Sequence, residues 1–213
     1  MYNYKNISIQ RLGHDGFLVL YKGKNICIDP FEIKENFEAD YLFLTHNHKD
    51  HTSLNDINKI IKSDTIVICP PICEENIKDI PNKKIFINPN ENLTLDDFSL
   101  KTLPAYNTNK FRSPGIQYHP KESGFLGYIL DFDGTKIYHA GDTDIIPEME
   151  NIYPDIALLP VSGVYAMTAQ EAVQAIELIK PKIAIPMHYD SIVGTIEDAK
   201  YFEKHTQCEV VIL

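Results

Sequence analysis

The sequence predicts an α/β (α+β) fold, a four-layer αββα sandwich of two mixed β-sheets with helices on the outer faces. Two observations carry this prediction. Each half of the chain shows a meander of short apolar strands followed by helix–strand alternation, and 44% of the 213 residues are hydrophobic, enough for a sizeable core. No low-complexity tract or break in composition marks a linker. We therefore predict a single domain over residues 1–213.

The first half of the chain opens with short runs of β-like character. The predicted strands are Ile7–Gln10, Phe17–Tyr21, Asn25–Ile28 and Tyr41–Thr45. Thr52 or Ser53 is placed to cap a helix that runs through about Ile61. A strand over Thr65–Cys69, a short helix after Pro71 and a strand over Lys84–Ile87 complete this half.

The second half repeats the pattern with clearer boundaries. Its predicted strands are Ser99–Leu103, Phe125–Phe132, Thr135–His139, Ile156–Leu159, Lys182–Met187 and Glu209–Ile212. Asp133-Gly134 is a strong hairpin signal. Thr168 and Glu171 form a capping box that opens a helix through Ile179, and a last helix spans Thr195–His205. Ala105–Gly124 has no obvious structure, and a loop of that length is more often functional than idle.

Charge and composition exclude several classes of protein. The formal net charge is −10, with 30 acidic and 20 basic residues, which argues against binding to the phosphate backbones of nucleic acids. The polar start Met1–Lys5 lacks a secretion signal, and no apolar run has the length to cross a bilayer. We expect a cytoplasmic protein that does not bind membranes and keeps its thiols reduced. Cys69 and Cys73 match zinc-finger spacing poorly.

A histidine-rich segment follows the apolar strand Tyr41–Thr45. Residues 46–51 contain three of the chain's eight histidines and one aspartate: His46, His48, Asp50 and His51. Imidazole nitrogens combined with a carboxylate oxygen suit zinc and other first-row divalent ions. A solvated polar loop is the alternative, but so many imidazoles directly behind a buried strand make a metal site the better interpretation.

Two further strand ends carry candidate ligands. Asp142 follows Ala140-Gly141 after the strand Thr135–His139, and a carboxylate there is able to bridge two cations. Taken alone, Gly-Asp-Thr is common turn chemistry. His188 ends the strand Lys182–Met187 and on its own is equally well explained as a core histidine. Metal binding by Asp142 and His188 is favoured only because the same chain also contains the histidine-rich segment.

Together these motifs resemble the signature of the metallo-β-lactamase superfamily, because His-x-His-x-Asp-His follows a buried strand and the other two motifs come in the same order. The branch most similar contains the ascorbate-6-phosphate lactonase and uncharacterised metal-dependent hydrolases. The resemblance implies two divalent metal ions, zinc first, with manganese and iron as alternatives. It assigns His46 and His48 to one ion, Asp50, His51 and His188 to the other, and Asp142 to both. Asp50 would also orient the nucleophilic water.

One position departs from the pattern of many superfamily members. Asn107 stands where they have a histidine, and an amide is a weak zinc ligand. His119, at the end of the long loop, is a candidate replacement ligand, with a general acid or an exposed residue as alternatives. His139 fits a packing or supporting role better than ligation. His14 could face the cleft, but nothing in its local sequence distinguishes it from a surface turn residue.

The substrate is weakly encoded. Lys110, Arg112 and Lys121 place three cations in the long loop, which suits an anionic substrate, although ordinary solvated charges explain them slightly better. The resemblance implies that Tyr165 lies near the cleft, where its role is either to contact substrate or to polarise the bond that is cleaved. We expect a hydrolase of a small anionic ester, lactone or phosphodiester, with esters and lactones first. The alternatives are a phosphodiesterase or nuclease, and a catalytically silent metal-binding or sensing protein. A homo-oligomer is compatible with the sequence.

Overall fold

The computed structural model describes all residues, 1–213, and the chain divides into two compact units. Unit 1 comprises residues 1–88 together with Leu213, and unit 2 comprises residues 89–212. Each unit contains one seven-stranded β-sheet. The prediction of a single domain over residues 1–213 stays a prediction.

The sheet of unit 1 follows the chain order. Its strands are β1 (Tyr2–Tyr4), β2 (Ile7–Gly13), β3 (Gly16–Tyr21), β4 (Lys24–Ile28), β5 (Ala39–Phe43), β6 (Ile61–Cys69) and β7 (Lys84–Phe86). Strands β1 to β4 pair antiparallel, whereas β4 to β7 pair parallel. Strands β4, β5 and β6 each end in three consecutive buried residues, as near-continuous apolar runs in a parallel sheet predict, whereas the edge strand β7 is half-buried or exposed.

Helix α1 (Leu54–Ile60) lies between β5 and β6 in the chain. Ser53 is its N-cap, and Ile57 and Ile60 are buried in the apolar core of unit 1. The Asp56 carboxylate accepts hydrogen bonds from the backbone of Glu32 and Ile33, both at 3.1 Å. These bonds attach the segment after β4 to the first turn of the helix.

Unit 2 contains a second mixed sheet. In spatial order its strands are β16 (Glu209–Val210), β15 (Ile183–Met187), β14 (Ile156–Pro160), β13 (Thr135–His139), β12 (Leu126–Phe132), β9 (Ser99–Pro104) and β8 (Asn92–Thr94). Strands β13 to β16 pair parallel and the remainder antiparallel. Helices α2 (Ala169–Ile179) and α3 (Ile196–His205) also belong to this unit, with a separate hairpin of β10 (Phe111–Ser113) and β11 (Ile116–Gln117).

The predicted fold class is confirmed, because two mixed sheets and three α-helices are the elements of an αββα sandwich. The capping box of α2 is present as predicted, with both reciprocal bonds between Thr168 and Glu171. Asp133 and Gly134 have φ values of 51° and 85°, as a type I′ hairpin turn requires. None of the helices has both the length and the apolar character that crossing a bilayer demands.

Several sequence-based boundaries are wrong. Residues 105–124 are not without structure, because they contain the β10–β11 hairpin and a 3-10 helix over Lys121–Ser123. Strand β6 begins at Ile61, immediately after α1, rather than at Thr65. Strands β1 and β8 were not predicted. They are three-residue edge strands with half-exposed or exposed side chains, so they lack the apolar signal on which the prediction relied.

Candidate metal centre

In unit 1 the candidate ligands follow the carboxyl ends of two parallel strands, β4 and β5. Asp29 comes directly after β4, and its N–H donates to Phe43 O at the end of β5, at 3.0 Å. Its carboxylate accepts the backbone N–H of Thr45 at 2.8 Å and the Thr45 hydroxyl. Asp29 is fully buried and therefore holds the entry to the histidine-rich loop in one position.

The loop of residues 46–51 is itself closed by hydrogen bonds. The amide groups of His51 and Thr52 both donate to His48 O, at 3.1 and 2.8 Å. The Thr52 hydroxyl donates to His46 O at 2.6 Å. His46 and His51 are buried, whereas His48 is exposed. The loop thus supplies two enclosed imidazoles and one at the surface.

In each buried imidazole of the loop, a hydrogen bond at Nδ1 places the ring proton there and leaves Nε2 to bind a metal. His51 Nδ1 lies 2.8 Å from Asp29 Oδ2, so it carries the proton and leaves a lone pair on Nε2. His46 Nδ1 lies 2.9 Å from the Thr45 hydroxyl oxygen, which already donates to Asp29 and therefore accepts from His46. This leaves the lone pair of His46 Nε2 at 3.1 Å from His48 Nδ1. Asp29 acts here as an orienting carboxylate, because its oxygens are engaged by Thr45 and His51.

Asp50 brings an unexpected residue into this group. Its Oδ2 lies 3.4 Å from His14 Nε2 and 3.8 Å from His51 Nε2. His14 is fully buried, so its interpretation as a surface turn residue is wrong. Sequence reasoning also missed Asp29. The available signal was its position, since Asp29 ends an apolar strand that pairs with the strand leading into the histidine-rich loop.

In unit 2 the central residue is Asp142, which is buried. It follows β13 through Gly141, whose φ of 64° turns the chain sharply. His139 is buried and its Nδ1 accepts the Gly141 N–H at 3.2 Å, so it shapes this turn, in line with the predicted supporting role. Asp142 Oδ2 lies 3.3 Å from His188 Nε2 and 3.5 Å from His119 Nε2. Two imidazoles therefore converge on a single carboxylate oxygen.

His188 follows β15 with a φ of 59°, in the left-handed region. Its Nδ1 lies 2.7 Å from the Ser162 hydroxyl oxygen, and that hydroxyl donates to Val164 O at 3.0 Å. Ser162 therefore accepts the Nδ1 proton, and the lone pair of His188 Nε2 faces Asp142. The sequence-based assignment of His188 as a ligand is consistent with this orientation.

Asn107 holds His119 in place. The Asn107 side-chain oxygen accepts the His119 backbone N–H at 2.9 Å, and its Nδ2 donates to Tyr165 O at 2.7 Å. His119 Nδ1 lies 3.1 Å from Tyr165 O and 3.2 Å from Asn107 Oδ1, two acceptors that place the proton on Nδ1. His119 is buried, so the exposed alternative is wrong. A neutral ring with its lone pair on Nε2 suits a ligand better than a general acid.

The separations between these donor atoms fit a shared cation. Two ligand atoms about 2.0–2.1 Å from one zinc ion, at the tetrahedral angle, lie about 3.3 Å apart. The His46–His48, His188–Asp142 and His119–Asp142 atom pairs are separated by 3.1, 3.3 and 3.5 Å. Strong hydrogen bonds from imidazole to carboxylate are shorter, at about 2.7–2.9 Å. These three pairs are therefore spaced and chemically suited for divalent metal ions, whereas the 3.8 Å between Asp50 Oδ2 and His51 Nε2 is wider.

Tyr165 and the loop cations surround the unit 2 group. Tyr165 has a φ of 70°, its ring packs edge-on to Tyr118 at 4.7 Å, and its ring centre lies 6.4 Å from that of His188. Its carbonyl oxygen orients His119, as described above. A catalytic role for the Tyr165 side chain stays a prediction.

Two of the three loop cations are engaged by carboxylates. Lys110 Nζ lies 2.7 Å from Glu171 and 3.2 Å from Asp144, and Lys121 Nζ lies 2.7 Å from Glu148. Burial raises the pKa of Glu171, but the hydrogen bonds from Lys110, Thr168 and Asn109 outweigh it and lower that pKa overall. Arg112 is exposed on β10. The ion pairs of Lys110 and Lys121 with these carboxylates therefore explain both lysines without a substrate.

The chain is similar to known proteins over most of its length. Residues 8–188 match the model of the β-lactamase superfamily domain. The chain is 33% identical to a UPF0173 metal-dependent hydrolase of Archaeoglobus fulgidus, over 97% of this chain and 96% of that protein. A solved structure from Parabacteroides distasonis aligns with a TM-score of 0.82 at 33% identity, covering 97% of this chain and 92% of its own.

A second solved structure is Igni18, a metallo hydrolase from Ignicoccus hospitalis. It aligns with a TM-score of 0.78 at 26% identity, over 97% of this chain and 94% of its own. The matched family spans all the motifs from the histidine-rich loop to His188. The chain therefore belongs to the metallo-β-lactamase superfamily, as a metal-dependent hydrolase.

Proposed function

We propose that the protein is a binuclear metallohydrolase. The proposed ligands are His46 and His48 for one ion, Asp50, His51 and His188 for the other, and Asp142 for both. His119 completes the first site in place of Asn107. Zinc is the first choice of metal, with manganese and iron as alternatives, because nitrogen-rich donor sets with carboxylates suit all three.

The observation that carries this proposal is the fixed proton position on four imidazoles. His46, His51, His119 and His188 each engage Nδ1 with a neighbouring oxygen, which leaves Nε2 for a metal. Metal-binding histidines in proteins are oriented in this way by partners at the other ring nitrogen. A merely structural histidine has no need of a lone pair directed at a carboxylate or at a second imidazole.

The chemistry follows from these positions. When bound, divalent cations lower the pKa of water towards neutrality and offset the negative charge that develops on the attacked group. Asp50 is the residue that orients the attacking water and accepts its proton through the carboxylate oxygen that does not face His14 and His51, since its side chain is 22% exposed and can exchange that proton with solvent. Tyr165 contacts the substrate beside the His188 ring.

The proposed substrate is a small anionic molecule with an ester, lactone or phosphodiester bond, esters and lactones first. The preference for an anionic substrate rests on Arg112 and on the bound metal ions, because Lys110 and Lys121 already face carboxylates. A large nucleic acid is disfavoured by the net charge of −10.

The test is a panel of chromogenic esters, lactones and phosphodiesters, assayed with zinc, manganese and iron. We expect metal-dependent hydrolysis of an ester or lactone that His48→Ala abolishes without unfolding the chain, because His48 is exposed. His205→Ala is the matched control, since His205 is an exposed histidine at the end of α3.

The outcomes separate the alternatives. Phosphodiester cleavage with salt-sensitive binding would indicate a phosphodiesterase or nuclease. Tight metal binding without turnover of any substrate would indicate a sensing or storage protein. Activity that survives His48→Ala as well as it survives His205→Ala would refute the proposed site.

A further inference from the structure

His14 lies outside every motif that the sequence singled out, yet it shares the geometry of the candidate ligands. Its Nε2 lies 3.4 Å from Asp50 Oδ2. The same oxygen lies 3.8 Å from His51 Nε2. The His14 and His51 rings are 5.7 Å apart and pack edge to face. Asp50 is therefore flanked by two imidazole Nε2 atoms, as Asp142 is flanked by those of His119 and His188.

The spacing separates two roles for His14. A protonated Nε2 that donates to the Asp50 carboxylate would sit at about 2.7–2.9 Å, the range of charge-assisted bonds. The observed 3.4 Å instead matches the edge of a coordination polyhedron, about 3.3 Å for tetrahedral zinc. The geometry thus favours a lone pair on His14 Nε2 that faces the same point as His51 Nε2.

The main chain around His14 is built to hold this side chain. His14 has a φ of 46°, a left-handed conformation that few residues other than glycine adopt, and its side chain is fully buried. Arg11 Nε donates to His14 O at 3.3 Å, and the Phe31 ring packs edge-on at 6.1 Å. Strained conformations of this kind cluster at functional sites, where the surrounding structure maintains them.

We propose that His14 is an additional ligand of the metal site formed by Asp50 and His51. The proposal rests on the proposed function, since it requires that this site binds a divalent ion. It assigns to the β2–β3 turn a donor that the His-x-His-x-Asp-His motif does not contain.

Two substitutions distinguish a ligand from a hydrogen-bond donor. The left-handed backbone accommodates the asparagine of His14→Asn, whose shorter side chain has no atom at the position of Nε2. His14→Gln places an amide N–H where Nε2 stood, so it can restore a hydrogen bond to Asp50 but not an imidazole ligand. His205→Asn is the control for loss of an exposed histidine.

Zinc affinity of the full chain is measured by competition with a chromogenic chelator. We expect both His14 variants to weaken the second zinc equivalent by more than about 100-fold, beyond the 10–100-fold typical of residues that only orient ligands. Recovery of wild-type affinity in His14→Gln, or no loss in His14→Asn, would overturn the proposal. If the wild type itself binds no zinc, the proposed function fails as well.

A second measurement does not depend on how the variants fold. Two-bond proton–nitrogen NMR correlations of the zinc-loaded wild type report which ring nitrogens are protonated. We expect His14 Nε2 to show the shift of a metal-bound nitrogen, like that of His51. A protonated Nε2 at His14 beside a metal-bound Nε2 at His51 would overturn the ligand assignment and leave the proposed function intact.

Discussion

The two units present carboxylate–imidazole groups of the same form but of different exposure. In unit 1, Asp50 is flanked by His14 and His51, and in unit 2, Asp142 is flanked by His119 and His188. The Asp50 side chain is 22% exposed, whereas that of Asp142 is 3% exposed. A buried carboxylate suits a permanent bridge between cations, while a solvent-accessible one suits proton exchange. In the proposed centre Asp142 therefore serves metal binding alone, whereas Asp50 combines metal binding with proton transfer.

The groups differ also in what orients their imidazoles. In unit 1 the carboxylate of Asp29 accepts the His51 proton, whereas in unit 2 neutral oxygens of Ser162 and Tyr165 accept those of His188 and His119. An anionic partner raises the basicity of the ligand more than a neutral one does. The unit 1 histidine should therefore depend more strongly on its partner.

The largest expected effect comes from exchanging the two carboxylates for amides. Asp142→Asn should lower kcat/KM by more than about 1,000-fold and release bound metal, because it removes the bridge and its buried charge. Asp50→Asn should lower kcat/KM by about 100-fold while at least one metal ion is retained, because it removes the proton acceptor and weakens only one of the two proposed metal sites. Steady-state kinetics and metal analysis of both variants check this. Retention of full metal content by Asp142→Asn would remove the proposed division of roles.

The next largest effect is expected from removing the residues that orient the imidazoles, Asp29 for His51 and Ser162 for His188. Asp29→Asn should weaken zinc binding by about 100-fold, and Ser162→Ala by about 10-fold, because only the first removes an anionic partner. The measurement is chelator competition on the folded variants, with circular dichroism as the control for structure. Equal losses would show that charge at the orienting residue does not matter here.

Helix capping should affect both units without affecting the centre. Thr168→Ala in α2 and Ser53→Ala in α1 should each lower the free energy of unfolding by about 1 kcal/mol. The two losses should be similar. Thr168→Ala removes the 3.0 Å bond from the Glu171 N–H but leaves the bond from the Thr168 N–H to the Glu171 carboxylate. Ser53→Ala removes a longer cap bond of 3.4 Å together with the bond from the Ser53 hydroxyl to Asp56. Urea unfolding measures the loss. A fall in kcat/KM at saturating metal would contradict a purely structural role.

Low pH should destabilise each unit by protonating one carboxylate, Asp56 in unit 1 and Glu171 in unit 2. The hydrogen bonds to Glu171 and Asp56 lower the pKa of each against the opposing effect of burial. Their stabilisation is complete above the unfolded-state pKa of about 4 and is lost as pH falls through the lower folded-state pKa. Glu171→Gln should flatten the dependence of stability on pH below about pH 5, and urea titrations at several pH values test this. An unchanged pH profile would mean that Lys110 does not stabilise the ionised form.

The same contrast explains what the sequence could predict. The proposed ligands of unit 1 lie mostly in one hexapeptide, so their chemistry is recognisable from local sequence. Those of unit 2 follow separate segments, and His119 is recognisable only because Asn107 breaks a family pattern. His14 gave no distinctive local signal and Asp29 only its position at the end of an apolar strand, since a turn histidine and a strand-end aspartate are common. Their roles arise from pairing of β2, β3, β4 and β5, a tertiary property.

Metal stoichiometry tests the central claim most directly. The full chain, stripped of metal and then dialysed to equilibrium against zinc, should hold about two zinc ions, as a binuclear site requires. Elemental analysis of the dialysed protein measures this ratio. A chain that retains one ion or none under these conditions would contradict the binuclear centre.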